Sequence, residues 1–472
     1  MAALSHHVPF LVGVLTALAI VSVVITPRVR TADGFFRGWS DSGASPGVFT
    51  LTFSQVTTWI FARSLLNAGI LGYFYGISGA LAYTAYYGSF ITGWLIVDRL
   101  RFTHGVDNVQ SFLSQRFGRW GTGCFNVLVS LRLLSEVFAN LLVVGIVFGM
   151  AGTTGYVTAI VAVAAVTLMY SMTGGLRASL RTDVLQMSIL LLLLIPLFAM
   201  MLGHPLFNMP AVLTSSPDLD GPGWVLLVVA LLQVWSYPLH DPVMMDRGFI
   251  AGREATRRSF LHAFWISALC ILGFGLLGVF AGLNRTGEEE LIGTLARLLG
   301  EPATVMLGAA LVVSAASTLD STFSSAAKLT IQDMHIAPLS AGNGRLAMAL
   351  FCIVGLALVF FGPEDLFAAV AVSGTASLFL APVIVFSIWG GRDVARWSFV
   401  VTFVAAVAGA VLYFLETSGY SGIVTTVTGF EHKYSKLLVI TSGVLVIGFG
   451  SFAIGLRPRA APAGLTGPGA LS

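Results

Sequence analysis

Thirteen apolar windows follow one another along the chain, near residues 8–26, 48–70, 73–98, 121–149, 155–172, 183–203, 222–239, 260–283, 303–325, 345–361, 366–390, 396–415 and 435–455. Each is long enough, as a helix rising about 1.5 Å per residue, to cross or nearly cross about 30 Å of hydrocarbon. The pattern predicts an all-α polytopic membrane protein with 13 transmembrane helices. One membrane domain is expected over 1–456, followed by a Pro/Gly/Ala-rich tail, 457–472, that is expected to be disordered. The first window lacks a basic leading segment and a small-residue cleavage site before Arg28, so it reads as a retained helix.

Composition sharpens this picture. Only 10% of the 472 residues are charged and 56% are hydrophobic, whereas soluble domains carry about 25% charge. The net charge of +3 does not point to nucleic acid, because the basic residues sit in short connections between windows. Of 25 Lys and Arg, 19 fall in one alternating set of connections plus the tail, including Arg28, Arg99, Arg116, Arg247 and Arg253. The opposite set holds four: Arg285, Arg297, Lys433 and Lys436. Positive charge is retained on the cytoplasmic side, which predicts the N-terminus outside and the C-terminus inside. Cys124, Cys270 and Cys352 fall in or beside windows and read as buried small hydrophobes.

The polar residues inside the windows carry the chemistry. An ionisable side chain at a membrane helix centre costs at least about 2.5–3.5 kcal/mol, so each one needs a reason. In "SAASTLDSTFSS", Ser314, Ser317, Thr318, Ser321, Ser324 and Ser325 share one helical face, and Asp320 lies off it. Such a stripe either packs helices by back-bonding or lines a site for a dehydrated cation. "TFSQVTTWIFARSLLNAGILGYFYGISG" mixes polar residues with recurring glycines, a mark of a discontinuous helix, and holds Arg63, Ser64 and Asn67. Arg132 and Glu136 are spaced to pair along one helix. Asp183 is expected to open a span, where the helix dipole favours it. Pro238 and Pro242 interrupt the window from 222, so Tyr237 and Asp241 mark either a helix end or a broken helix facing a central site.

Together these stretches resemble the sodium/solute symporter family. "GGLRASLRTDVLQ" looks like that family's signature opening core helix 5, "SAASTLDSTFSSAAKLTIQDM" is similar to its core helix 8 pattern, and "TTWIFARSLLNAGILGYFYG" fits the spacing of core helix 1. The resemblance implies a leucine-transporter-type core of two inverted five-helix repeats, about 48–203 and 222–390, with one extra N-terminal helix and two extra C-terminal helices. It implies a sodium site built from carbonyls of Thr57, Ile60 and Ser314 with hydroxyls of Ser317 and Thr318. Asp183 and Ser321 would form a second sodium position or an exit path. The substrate cannot be copied from relatives, because Asp241-Pro242, Asp246-Arg247 and Arg63-Ser64 depart from the usual pattern.

The expected function is sodium-coupled import of a small polar solute by alternating access, by a single protomer in a plasma membrane of bacterial type. A carboxylate-bearing solute suits Arg63 and Arg132, since guanidinium pairs bidentately with carboxylate. A zwitterionic amino acid would add Asp241. A proton-coupled symporter would titrate Asp183 or Asp320. A transporter-like sensor would need a signalling domain, for which the segment after 456 is short. No H-E-x-x-H, G-x-S-x-G or Cys/His metal spacing marks an enzyme.

Overall fold

Prolines, glycines and hydroxyls, more than hydropathy, decide how the apolar windows become helices in the computed structural model, which describes residues 8–361 and 374–457. Leaving one-turn segments unnumbered, the helices are α1 (Val8–Ile25), α2 (Val48–Trp59), α3 (Ala62–Ala85), α4 (Ser89–Phe102), α5 (Val109–Phe148), α6 (Thr154–Gly174) and α7 (Leu176–Leu202). They continue with α8 (Pro222–Gln233), α9 (Pro242–Gly248), α10 (Arg253–Leu283), α11 (Leu291–Ala327), α12 (Ala341–Phe361), α13 (Arg396–Thr417) and α14 (Lys433–Ile454), and the irregular apolar helix Gly374–Trp389 between α12 and α13 is also left unnumbered. Ten helices among the described residues are long and apolar enough to cross a membrane.

Ten differs from thirteen for three reasons. The window 48–70 is broken, so α2 counts as too short and α3 runs on into α4. The window 222–239 is broken as well, leaving α8 with 12 residues. The window 366–390 is described only from residue 374 on, as is the tail only to 457.

The two breaks come from local chemistry. At the first, α2 ends at Trp59, Ile60 turns out of the helix (φ −88°, ψ 63°), Phe61 is extended, and α3 begins at Ala62. At the second, a turn at Tyr237–His240 leads to Asp241, whose carboxylate accepts from the Met244 amide at 2.9 Å and caps α9. Pro242 occupies the first position of α9, where a missing N–H costs nothing. Elsewhere, Gly76 (φ 62°) bends α3, and the hydroxyls of Ser215 and Ser216 cap the freed amides of Ile77 and Ser78.

Around the breaks the helices approach closely. α3 lies against α10, and a Cβ at Gly278 would fall 2.0 Å from the Gly69 carbonyl oxygen. Small residues at this crossing therefore let the two backbones touch. α2, α7 and α11 pack together on the other side of the first break. This arrangement corrects one expectation: Asp183 does not open a span. It lies in the second turn of α7, fully buried, because the helix already begins at Leu176 after the Gly175 turn.

Candidate functional site

The hydroxyl stripe of α11 divides according to what each oxygen can reach. Thr318, Thr322 and Ser324 bond back to carbonyls of their own helix, Ser314, Thr318 and Ser321 respectively. Ser314, Ser317 and Ser321 instead cross to other helices. Ser314 Oγ donates to the Ile60 carbonyl at the first break. Ser317 Oγ lies 2.9 Å from Thr57 Oγ1 and donates to Asp183 Oδ1 at 3.1 Å. The break thus brings Thr57, Ile60, Ser314 and Ser317 into one buried group of oxygens, beside the C-terminal end of α2, where helix carbonyls lack intrahelical partners, and Thr318 joins it only through its bond to the Ser314 carbonyl. Hard oxygen donors of this kind suit an alkali cation.

Behind this group lies a buried ionic network. Asp183 accepts from Ser54 Oγ at 2.5 Å and from Arg247 Nη2 at 3.4 Å. Asp320 accepts from Thr182 Oγ1 at 2.7 Å and Ser179 Oγ at 3.0 Å. Two expectations change here. Asp320, which lies off the hydroxyl face, joins the same network because its side of α11 meets α7. Arg247, counted among loop cations, is fully buried in α9 because the second break turns it inward.

A second cluster lies at the start of α3. Arg63, expected within a discontinuous span, stands in the first turn of α3, just after the break, and is 1% exposed. Its Nη2 donates to Glu136 Oε1 at 3.1 Å. Arg132 also pairs with Glu136, and its Nη2 donates to Asp241 Oδ2 at 3.2 Å. Arg63, Glu136, Arg132 and Asp241 therefore form a buried chain of alternating charge that ties α3, α5 and the cap of α9 together. The Arg132–Glu136 pair expected from spacing is present, and it is shared with Arg63.

Arg132 faces a cavity of about 30 Å³ lined by Trp59, Ser64, Tyr83, Tyr86, Tyr87 and Tyr237, among others. That is room for roughly two waters. Tyr83 donates to Ser64 Oγ, Tyr86 to Gln233 Oε1 and Tyr87 to the Trp59 carbonyl. The ring faces, more than these hydroxyls, are left for a guest. Among the described residues, Trp59 Nε1, Arg63 Nε and Nη1, Arg132 Nε and Asn67 Nδ2 have no hydrogen-bond partner although all are buried. All five are donors. Of the residues expected at a solute site, Ser64, Arg132 and Tyr237 line this cavity, while Arg63 and Asp241 join it through ion pairs. Asn67 is buried on α3 but is not part of the lining.

Sequence reasoning missed the aromatic wall. Its trace is "YTAYYG", which places Tyr83, Tyr86 and Tyr87 at helical spacing on one face. Trp59 gave no such signal.

Known proteins match this chain in parts. The sequence model of the sodium:solute symporter family matches residues 42–206. That segment contains two of the three motif stretches that carry the resemblance. Sodium/glucose cotransporter 1 of Mus musculus is 26% identical over 186 residues, 36% of this chain. The aligned segment spans 27% of that relative's length. A Na+-coupled sialic acid symporter, solved substrate-bound and outward-open, superposes with a TM-score of 0.68 at 15% identity, covering 96% of this chain and 99% of that one. A nucleobase-cation-symport-1 family transporter, solved closed with bromovinylhydantoin bound, superposes at 0.58 and 13% identity, covering 90% of this chain and 95% of that one. The resemblance to the sodium/solute symporters is borne out over residues 42–206, and the fold is shared with solved symporters.

Proposed function

We propose that this chain is a sodium-coupled secondary symporter that moves a small carboxylate-bearing solute across a plasma membrane by alternating access. The observation that carries the solute class is the set of buried, unpartnered donors on Trp59, Arg63 and Arg132. A buried donor without an acceptor costs about 1–3 kcal/mol, so the site is poised for a guest that brings acceptors and no donors. A carboxylate does so, and the N-terminal end of α3 adds a favourable dipole. An ammonium group finds less support, since Asp241 is already engaged by Arg132 and by the Met244 amide.

Sodium would use the carbonyls of Thr57, Ile60 and Ser314 with the hydroxyls of Ser317 and Thr318. Its charge would stabilise the carbonyl end of α2, one residue from the Trp59 that walls the solute cavity. That adjacency supports reciprocal coupling: each ligand favours the conformation that binds the other. Alternating access requires the cavity's aromatic wall to part for a solute to enter.

Thermal unfolding of purified protein against a series of carboxylates, with and without sodium, tests this reading. A solute at about 100 times its Kd should stabilise by about 2.7 kcal/mol, and by more when sodium is present. Replacing Ser317 and Thr318 together by Ala should remove the sodium dependence. Stabilisation indifferent to sodium in the unmodified protein would sink the proposal.

A further inference from the structure

Where α4 ends and α10 begins, an open groove of about 580 Å³ lies on the outer surface of the bundle, lined by Trp94, Asp98, Arg99, Trp235, Arg253 and Trp389, among others. Its two ends differ in chemistry. At one end Arg253 clamps Asp98 through Nε and Nη2, at 2.6 and 2.8 Å. Its Nη1 and the exposed guanidinium of Arg99 have no hydrogen-bond or ion-pair partner among the described residues. Arg99 and Arg253 against Asp98 leave one positive charge. At the other end stand three tryptophans. Trp235 and Trp389 meet edge to face with ring centroids 6.0 Å apart, and Trp235 is 46% exposed. Arg257 covers the Trp94 ring at 5.6 Å. Trp94 precedes Arg99 by five residues of one helix, about 7.5 Å along its axis, so the aromatic end lies deeper in the membrane than the charged end.

We propose that this groove binds one acidic glycerophospholipid, with its phosphate on Arg99 and Arg253 and an acyl chain along Trp94, Trp235 and Trp389. Guanidinium pairs bidentately with phosphate. Tryptophan suits the level at which an acyl chain meets a headgroup. Charge selects the lipid: one net positive charge complements a lipid with one net negative charge, whereas a choline headgroup brings its own cation up to Arg99. The tryptophans select a lipid over a free phosphate, which would leave them uncovered. The groove also touches the second helix break, because Trp235 stands two residues before Tyr237 of the solute cavity. An occupied groove therefore braces that break from the lipid side. This site is independent of which solute or ion the chain carries.

Native mass spectrometry of the purified full chain, released from detergent micelles doped with phosphatidylglycerol or phosphatidylcholine, measures occupancy directly. The unmodified protein should retain one phosphatidylglycerol and bind it at least about fivefold more tightly than phosphatidylcholine, the effect of about one cation beside an anionic lipid. Arg99→Gln, a change at an exposed position, should erase that preference. Trp389→Ala should weaken both lipids, and Arg119→Gln, at an exposed cation elsewhere in the same set of basic connections, should change neither. Equal binding of the two lipids to the unmodified protein overturns the proposal. So does an equal loss from Arg99→Gln and Arg119→Gln, the mark of diffuse surface charge. A folded Trp389→Ala protein that binds both lipids normally overturns it too. Displacement of the lipid by an equal concentration of glycerol phosphate would make free phosphate the ligand, and overturns it as well. If Trp389→Ala cannot be recovered folded, the comparison of Arg99→Gln with Arg119→Gln decides alone.

Discussion

Glu136 is the residue on which the solute site turns, because two guanidinium groups share it. Removing one partner of a buried ion pair costs about 3–5 kcal/mol, since it leaves the other charge uncompensated. Glu136→Gln should therefore lower stability by that amount in a detergent unfolding experiment. Adding Arg63→Gln to it should recover part of the loss by removing one of the two stranded charges. A double variant no more stable than Glu136→Gln alone would mean that Arg63 is not held by Glu136. At this scale the sequence was legible where charge is rare: Arg63, Arg132, Glu136 and Asp183 stand out in apolar windows. It was illegible where a residue type has two ordinary homes. Arg247 reads as a loop cation until the break at Tyr237–His240 turns it inward, and tyrosines in a membrane segment read as core until their faces enclose a cavity.

Among the elements, the seven residues of α9 connect the two halves of the site. Its cap, Asp241, holds Arg132 at the solute cavity, and its last turn presents Arg247 to Asp183 and Asp246 to Lys328, at 2.7 Å. Asp241→Ala removes both a helix cap, about 1 kcal/mol, and the partner of Arg132. Solute affinity should fall at least about tenfold, near 1.4 kcal/mol, while sodium binding without solute changes less than twofold. Equal losses of both would show that α9 does not separate them. Prolines announced the second break in the sequence, and the mixed polar stretch with recurring glycines announced the first. Their consequence for the helix count did not follow, because hydropathy averages over a break. The register of α7 escaped for a similar reason: "GGLRASLR" looks like a loop by charge, yet Arg177 and Arg181 reach outward to Asp41 and the Ile25 carbonyl while Ser179 and Asp183 face inward.

For the whole molecule, apolar windows were sufficient to predict a helical membrane protein, and the superposition on a solved sialic acid symporter covers 96% of the chain. The sidedness expected from positive charge, N-terminus outside, remains a prediction that cysteine labelling from each face of a membrane vesicle would check. Direction and coupling of transport show themselves only across a sealed compartment. Purified protein in liposomes should accumulate a labelled short carboxylate when sodium is imposed outside, collapse that uptake when the sodium gradient is dissipated, and lose it with Ser317→Ala and Thr318→Ala combined. Uptake that proceeds equally in potassium, or follows a pH gradient without sodium, would contradict sodium symport.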